Sequence, residues 1–343
     1  MSLNRSRART MAAIVLFASG IGVSAADVTI EERIAVEGTG LMSMASMQGT
    51  ARTSISNHRA RVENNLRMHS GFMRMLMRSA GETTEIVRLD DGAIYVLDMK
   101  KQRYHETSVV ARSAELARAS AAQQGNPVAF DDSQCDWSEP KLTVNRSGAK
   151  VVFAGLSAAP LSIVARQSCK DRRTGAVCDI ALSFEGWIAA SSGGAREALQ
   201  FRSAYAQQLG LADDTRAGSL FGRYKQPWVL ISAEVRKIKG FPVKTRFALG
   251  LGGGSCTGPP ASGAGVSGAP SPGALASRMM GVFGRKKAPP EDTAAAVSAE
   301  PVPDALSGMV VPLRMTSELY SIVSEPLSAS TFEVPAGFKR VAK

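Results

Sequence analysis

The segment that decides the fold is Thr84-Glu-Ile-Val-Arg-Leu-Asp-Asp-Gly-Ala-Ile-Tyr-Val-Leu-Asp98. Two runs rich in β-branched and other apolar residues flank Asp91-Gly92, a dipeptide typical of a two-residue β-hairpin turn. That turn predicts a register with the cross-strand pairs Val87 with Val96, Leu89 with Ile94, Ile86 with Leu97 and Arg88 with Tyr95. One face of the hairpin is then wholly apolar, so other parts of the chain must cover it.

Strand patterns continue on both sides of this hairpin. We predict strands at residues 28–36, 50–55, 59–64, 84–89, 93–98, 103–105, 141–145, 151–153, 161–169, 178–187, 228–239 and 243–249. Amphipathic patterns predict helices at residues 108–124 and 196–209, each ended by a glycine. The fold class is therefore mainly β (α+β), with one large, strongly curved antiparallel sheet and covering helices.

The first 25 residues have the pattern of a signal peptide. Arg5, Arg7 and Arg9 precede an apolar run of about 13 residues, and Val23-Ser24-Ala25 is a small-residue cleavage site. The run is too short for a membrane-spanning helix, which needs roughly 20 residues. We expect cleavage after Ala25 or Ala26 and a soluble protein in the periplasm.

The net charge limits the expected partners. Loss of three signal-peptide arginines lowers the formal charge from +11 to +8, and the remaining basic residues are scattered. Such a surplus favours an anionic membrane surface outside the cytoplasm, and export excludes nucleic acid. The alternative is a charge that only keeps the protein soluble.

Four cysteines indicate disulfides rather than a zinc site, because the chain is expected in an oxidising compartment. A four-residue loop at residues 172–175 would place Cys169 directly opposite Cys178, so we predict a disulfide between them. The pairing of Cys135 and Cys256 stays open.

The composition changes at residues 250–308, where Gly, Pro, Ala and Ser dominate. We predict a disordered insert there, within one domain formed by residues 26–249 and 309–343. Order is expected again at residues 309–323 and 331–334. The strands at 243–249 and 309–323 should be neighbours in the sheet, separated along the chain by the insert.

Residues 88–107 (RLDDGAIYVLDMKKQRYHET) resemble a bacterial envelope family of uncharacterised function that is related in fold to the LolA/LolB lipoprotein carriers. Three other pieces agree, namely the segment from Cys169 to Cys178, the segment GFPVKT at 240–245 and the segment FEVPAGF at 332–338. The resemblance implies a curved antiparallel half-barrel whose helices close its concave side. It also implies an apolar cavity, which receives acyl chains in the carriers.

A methionine-rich segment at residues 67–80 is predicted to form a helix. Arg67, Arg74 and Arg78 lie on one side of that helix and form a basic stripe. If the apolar residues contact a ligand or a membrane surface, this stripe is expected to lie near its phosphate groups. The candidate ligand-binding residues are Met68, Phe72, Met75 and Leu76. The alternative is that this apolar arc only packs on the sheet.

Metal and enzyme chemistry receive less support from the residues. Met42, Met44 and Met47 are soft ligands that suit Cu(I), so copper handling is a minor alternative. The sequence lacks a Gly-x-Ser-x-Gly elbow and a His-Glu-x-x-His motif, and we predict no catalytic residue and no cofactor.

We expect a non-enzymatic binding or carrier-like protein with an apolar cavity for a lipid or an acylated protein. The competing hypothesis is an envelope structural or interaction protein with a packed core.

Overall fold

The computed structural model describes residues 27–40, 43, 46–70, 82–124, 135–211, 225–252 and 304–342. The strands are β1 (Val28–Gly38), β2 (Met47–Ser56), β3 (Arg59–Met68), β4 (Glu82–Arg88), β5 (Ala93–Asp98), β6 (Arg103–Ser108), β7 (Cys135–Trp137), β8 (Lys141–Arg146), β9 (Val151–Phe153), β10 (Leu156–Asp171), β11 (Val177–Ala189), β12 (Phe241–Gly252), β13 (Val310–Ser324) and β14 (Lys339–Arg340). The helices are α1 (Val109–Gln124), α2 (Gly194–Gln208) and α3 (Lys225–Val235), and 3-10 turns lie at Asp304–Leu306 and Ala329–Phe332. Among these helices, none combines the length and the apolar character needed to cross a bilayer.

All the strands belong to one curved sheet that does not close on itself. Its order is β14-β6-β5-β4-β3-β2-β1-β13-β12-β11-β10, and β7, β8 and β9 pair with the outer edge of β10. Neighbouring strands are antiparallel except for the short parallel pair of β14 and β6. The predicted mainly-β fold with a large antiparallel sheet is confirmed.

The main apolar core lies where α1 and α2 pack against the sheet, and both helices were predicted. It buries Val28 and Ile30 of β1, Ile55 of β2, and Val87 and Ile94 of the hairpin, together with Val109 of α1 and Phe201 of α2. Each such side chain stabilises the fold by about 1.5–3 kcal/mol relative to exposure in water. The predicted apolar face of the hairpin is therefore covered, as its composition requires.

The predicted strand at residues 228–239 is wrong, because most of this segment belongs to α3. Trp228, Ile231 and Val235 recur every three or four residues, and that period places them on one helical face. The face packs on β10 and β11, where Ile231 is buried against Leu161 and Leu182. The predicted order at residues 331–334 is present, partly as the 3-10 turn Ala329–Phe332.

The hairpin register differs from the prediction by two residues. The structure pairs Val87 with Ile94 and Ile86 with Tyr95, so residues 89–92 form a four-residue loop. A shift by two keeps every side chain on its predicted face. The opposite face is also buried, because Ile86 and Leu97 pack under Phe332 from the C-terminal segment.

The predicted pairing across the insert is confirmed. β12 lies beside β13 in antiparallel register, with Lys244 opposite Glu318 and Leu249 opposite Leu313. β12 extends to Gly252, three residues into the predicted insert. Residues 253–303 lie outside the described part of the chain, as does the predicted signal peptide.

The predicted helix at residues 67–80 does not begin at Arg67. Arg67 and Met68 are the last residues of β3, where pairing with Gln48 and Met47 of β2 holds them extended. The other residues of this prediction lie outside the described chain: Phe72, Arg74, Met75, Leu76 and Arg78. Met42 and Met44 lie outside it as well.

The cysteine prediction is right in register and wrong in partner. Cys169 lies directly opposite Cys178, as predicted from the loop at residues 172–175. The disulfide joins Cys169 to Cys135 instead, and their Cα atoms are 5.4 Å apart. The reason is β7, an unpredicted strand that brings Cys135 to the other side of β10, opposite Asp171 and so two residues along from Cys169. Cys178 is disulfide-bonded as well.

Candidate functional site

A polar face runs across the middle of the sheet, and it is defined by two rows of directly paired residues. The first row is Asn65, Thr50, Arg33, Glu318, Lys244 and Trp187, and the second is Arg67, Gln48, Ala35, Thr316, Arg246 and Glu185. Directly opposed residues point to the same side of a sheet. These side chains therefore share one surface that crosses β3, β2, β1, β13, β12 and β11.

The part of the polar face on β11, β12 and β13 is neutralised by its own ion pairs. Within the two rows these are Lys244 with Glu318 (2.8 Å) and Arg246 with Glu185 (2.8 Å). In the next row of the same surface, Arg314 of β13 pairs with Glu37 of β1 (3.2 Å). The Lys244 ammonium also lies 5.4 Å from the centre of the Trp187 ring. The three cations are largely buried, and a burial of this kind requires a paired acid. Their charges are therefore compensated within the fold and are not available to a partner.

The part of the polar face on β1 and β3 differs, because two arginines there are exposed. Within the described residues, neither Arg33 nor Arg67 takes part in an ion pair. The Arg33 guanidinium lies 5.3 Å from the centre of the Tyr320 ring, a contact that orients it without neutralising it. This end of the polar face therefore carries uncompensated positive charge.

A cleft of about 560 Å³ opens on this end of the polar face. Its lining includes the cationic residues Arg33, Arg67 and Arg314, the acidic residues Glu37 and Glu318, and the polar residues Gln48, Thr50, Asn65 and Thr316. The volume lies within the range of small-molecule sites, about 300–1,000 Å³. Guanidinium and amide donors suit a ligand with a phosphate or a carboxylate.

Gly49 is required where β2 passes β3 beside this cleft. A Cβ atom at position 49 would lie 1.9 Å from the carbonyl oxygen of Asn65. No side chain fits such a distance, so only glycine allows the two strands to approach this closely. The close approach places Gln48 and Thr50, on either side of Gly49, against Asn65 and Arg67 in the cleft wall.

A second cleft of about 530 Å³ lies on β4, β5 and β6, beside the C-terminal segment. Its rim carries two ion pairs, Lys100 with Glu82 (2.8 Å) and Lys101 with Asp98 (3.6 Å). Val341 closes one side of it. Its lining mixes charges of both signs, and no set of donors points to one ligand.

The structure separates two of the predicted site residues. Arg67 lines the cleft, but Met68 points to the opposite side of the sheet, because neighbouring residues of a strand alternate. The sequence interpretation missed Arg33 and Arg314. The alternation of Arg33, Ala35 and Glu37 with apolar neighbours indicates that one face of β1 is polar. Which cations of this face form ion pairs depends on the order of the strands in the sheet, and the sequence pattern does not give that order.

The described residues contain no group of three or more His, Cys, Asp or Glu side chains that could hold a metal ion. The copper hypothesis depends on methionines, and Met47 is the member of the predicted trio that the structure places. It lies directly opposite Met68.

In comparisons with known proteins, the chain matches no protein-family model and no curated protein. The relation to the lipoprotein carriers stays a prediction from sequence motifs.

Proposed function

We propose that the protein is a non-enzymatic binding or carrier-like protein of the periplasm, whose ligand is a lipid or an acylated protein. The observation that supports this most is the cleft on the polar face, where Arg33 and Arg67 lie exposed and form no ion pair with any acid in the described part of the chain. Of the two ligand classes, the cleft favours a lipid with a phosphate headgroup. Arginine binds phosphate with two parallel hydrogen bonds, which gives both orientation and affinity.

The positions of the two arginines suit a ligand held between them. Arg33 on β1 and Arg67 on β3 are two strands and one two-residue step apart, so their Cα atoms are separated by roughly 12 Å. Their side chains rise from the same surface on opposite sides of Gln48 and Thr50. Amide and hydroxyl groups thus lie between the cations, where they can donate to the remaining oxygens of the same headgroup.

The size of the cleft and the filled core together define the mode of binding. Val28, Ile55 and Ile94 are fully buried under α1 and α2, so side chains occupy that part of the interior. A cleft of about 560 Å³ accommodates a headgroup with a short part of its chains. We therefore infer recognition of the headgroup at the surface of the sheet rather than enclosure beneath these two helices.

A titration with short-chain phosphatidylglycerol tests the proposal, with short-chain phosphatidylcholine as the zwitterionic reference. The double variant Arg33→Gln/Arg67→Gln should bind phosphatidylglycerol at least about tenfold more weakly, because two charge-assisted contacts are lost. Arg146→Gln is the matched control, since Arg146 is exposed on β8 at the far edge of the sheet. No binding by the unaltered protein, or equal binding by the double variant, would overturn the proposal.

A second candidate is an envelope structural or interaction protein, which the filled core favours. Native mass spectrometry of the mature protein, purified from its own envelope without detergent, separates the two. A co-purifying lipid or acylated peptide supports the binding function. A ligand-free mass together with a failed lipid titration supports the interaction protein.

Cu(I) handling is a third candidate, supported by the facing thioethers of Met47 and Met68. Two methionines side by side across paired strands offer soft ligands to a two-coordinate ion. The test is Cu(I) uptake by the unaltered protein and by Met47→Leu/Met68→Leu, with Met99→Leu as the control at an exposed site. Absence of uptake by the unaltered protein ends this candidate.

A further inference from the structure

A basic tip lies at the β6 edge of the sheet, away from the cleft on the polar face. It consists of Lys100 and Lys101 in the turn between β5 and β6, of Arg103 at the start of β6, and of Lys339 and Arg340 in β14. The side chains of Lys100, Lys101 and Arg340 are 73%, 68% and 65% exposed. Each forms a surface ion pair, with Glu82, Asp98 and Glu106 respectively, and exposed pairs of this kind bind weakly.

Two cations at the centre of the tip lie side by side. Lys339 pairs with Arg103 in the parallel register of β14 and β6, and the Lys339 amide donates to the Gln102 carbonyl at 2.9 Å. Both side chains are exposed, and within the described residues neither takes part in an ion pair. Like charges on directly paired residues repel each other, so the fold brings together charges that an external anion would stabilise.

Apolar side chains accompany these charges. Met99 is 47% exposed and Val341 is 37% exposed, and both line the second cleft together with Lys100, Lys101 and Arg103. Apolar groups beside a cluster of lysines and arginines are the combination that binds a bilayer surface, since the cations meet headgroups while the apolar groups enter the interface.

We propose that the basic tip docks the protein on an anionic phospholipid bilayer. Lys100, Lys101, Arg103 and Lys339 meet the headgroup phosphates, and Met99 and Val341 enter the interface. A bilayer fits better than an acidic protein because the exposed apolar side chains of Met99 and Val341 accompany the cations. The docking does not depend on the cleft, because the tip lies on β5, β6 and β14 and the cleft on β3, β2, β1 and β13.

Vesicle co-sedimentation of the full mature chain tests this docking. The vesicles consist of phosphatidylcholine alone or of phosphatidylcholine with phosphatidylglycerol. The triple variant Lys100→Gln/Lys101→Gln/Lys339→Gln should bind the anionic vesicles on the order of 100-fold more weakly, at about fivefold per cation near the surface. Added salt should weaken binding of the unaltered protein by screening the same charges.

The matched control removes three exposed cations elsewhere, with Lys141→Gln/Arg146→Gln/Arg173→Gln on β8 and the β10–β11 loop. Circular dichroism verifies that both triple variants fold. Equal loss in both, no loss in the tip variant, equal binding to the two kinds of vesicle, or no binding at all would overturn the docking. The variant Arg33→Gln/Arg67→Gln should still bind vesicles. Its vesicle binding reports on the basic tip alone, whereas its titration with short-chain phosphatidylglycerol reports on the cleft, so the two proposals can be contradicted separately.

Discussion

Cys135 and Cys169 share a disulfide bond that fastens β7 to the outer edge of β10, with 34 residues of sequence separation between them. β7 has three residues and pairs only at the end of β10 nearest the β10–β11 loop. Such a short edge strand gains little from its own ladder hydrogen bonds. The covalent bond therefore adds to the hydrogen bonds between Ser138 and Ser168 and to the ion pair of Asp136 with Arg172 in holding this segment at the edge of the sheet.

Removing this bond with Cys135→Ser/Cys169→Ser should lower the free energy of unfolding by about 3–4 kcal/mol, the loop-closure value for a loop of this length. Denaturant unfolding of both proteins under non-reducing conditions measures the difference. Peptide mapping without reduction should link the Cys135 and Cys169 peptides. Because the chain has four cysteines and Cys178 is also bonded, we expect the peptide that contains Cys256 as its partner. A Cys169–Cys178 peptide would contradict the pairing.

Gly49→Ala should destabilise the protein by at least about 2 kcal/mol, because the new methyl group meets the Asn65 carbonyl and β2 must move away from β3. The measurement is the denaturation midpoint together with lipid binding at the cleft. Gly148→Ala is the control, since nothing lies within 4 Å of a Cβ atom there. Equal stability of the two variants would show that the close approach of β2 and β3 is not needed.

The hairpin shows how far the sequence leads. Its two strands and the burial of its apolar face follow from the alternation of Ile86, Val87 and their neighbours, whereas the burial of the opposite face under Phe332 was not predicted. Its register does not, because the loop is fixed by a contact from 31 residues away: Arg59 donates two hydrogen bonds to Asp90, at 2.8 and 2.7 Å. The Leu89 amide also donates to the His58 carbonyl at 2.8 Å. The turn preference of Asp91-Gly92 depends only on adjacent residues, so it cannot predict a register that is set by contacts with distant residues.

The same limit applies to the disulfide and to the cleft. The residues opposite Cys169 on β11 were predictable from one short loop, but the other neighbour of β10 comes from a segment with little strand pattern of its own. In the cleft, the exposure of Arg33 and Arg67 depends on β1 lying between β2 and β13. That order is a property of the whole sheet.

Arg59→Gln should remove a pH-dependent part of the stability. Partial burial raises the pKa of the Asp90 carboxyl, but the hydrogen bond and charge of Arg59 outweigh it and hold that pKa below its usual value. A depressed folded-state pKa stabilises the fold above the unfolded value of about 3.9, and this stabilisation is lost as the pH falls through the folded pKa. NMR titration of Asp90 should show its pKa rising in Arg59→Gln and unchanged in Arg146→Gln. An unchanged pKa in both variants would refute the assignment.

Glu185→Gln should destabilise the protein more than the loss of any surface ion pair. The Arg246 and Glu185 side chains are only 10% and 18% exposed, so the substitution leaves a cation in a poorly hydrated place with a weaker neutral acceptor. Breaking a buried pair typically costs about 3–5 kcal/mol, and retention of an amide should bring the loss to about 1–3 kcal/mol.

Asp136→Asn is the control, because its pair with Arg172 is 59% exposed on both sides and should contribute no more than about 1 kcal/mol. Denaturant unfolding of both variants decides the matter. If Asp136→Asn lowers the free energy of unfolding as much as Glu185→Gln does, burial does not make the ion pair of Arg246 and Glu185 more stabilising than an exposed one.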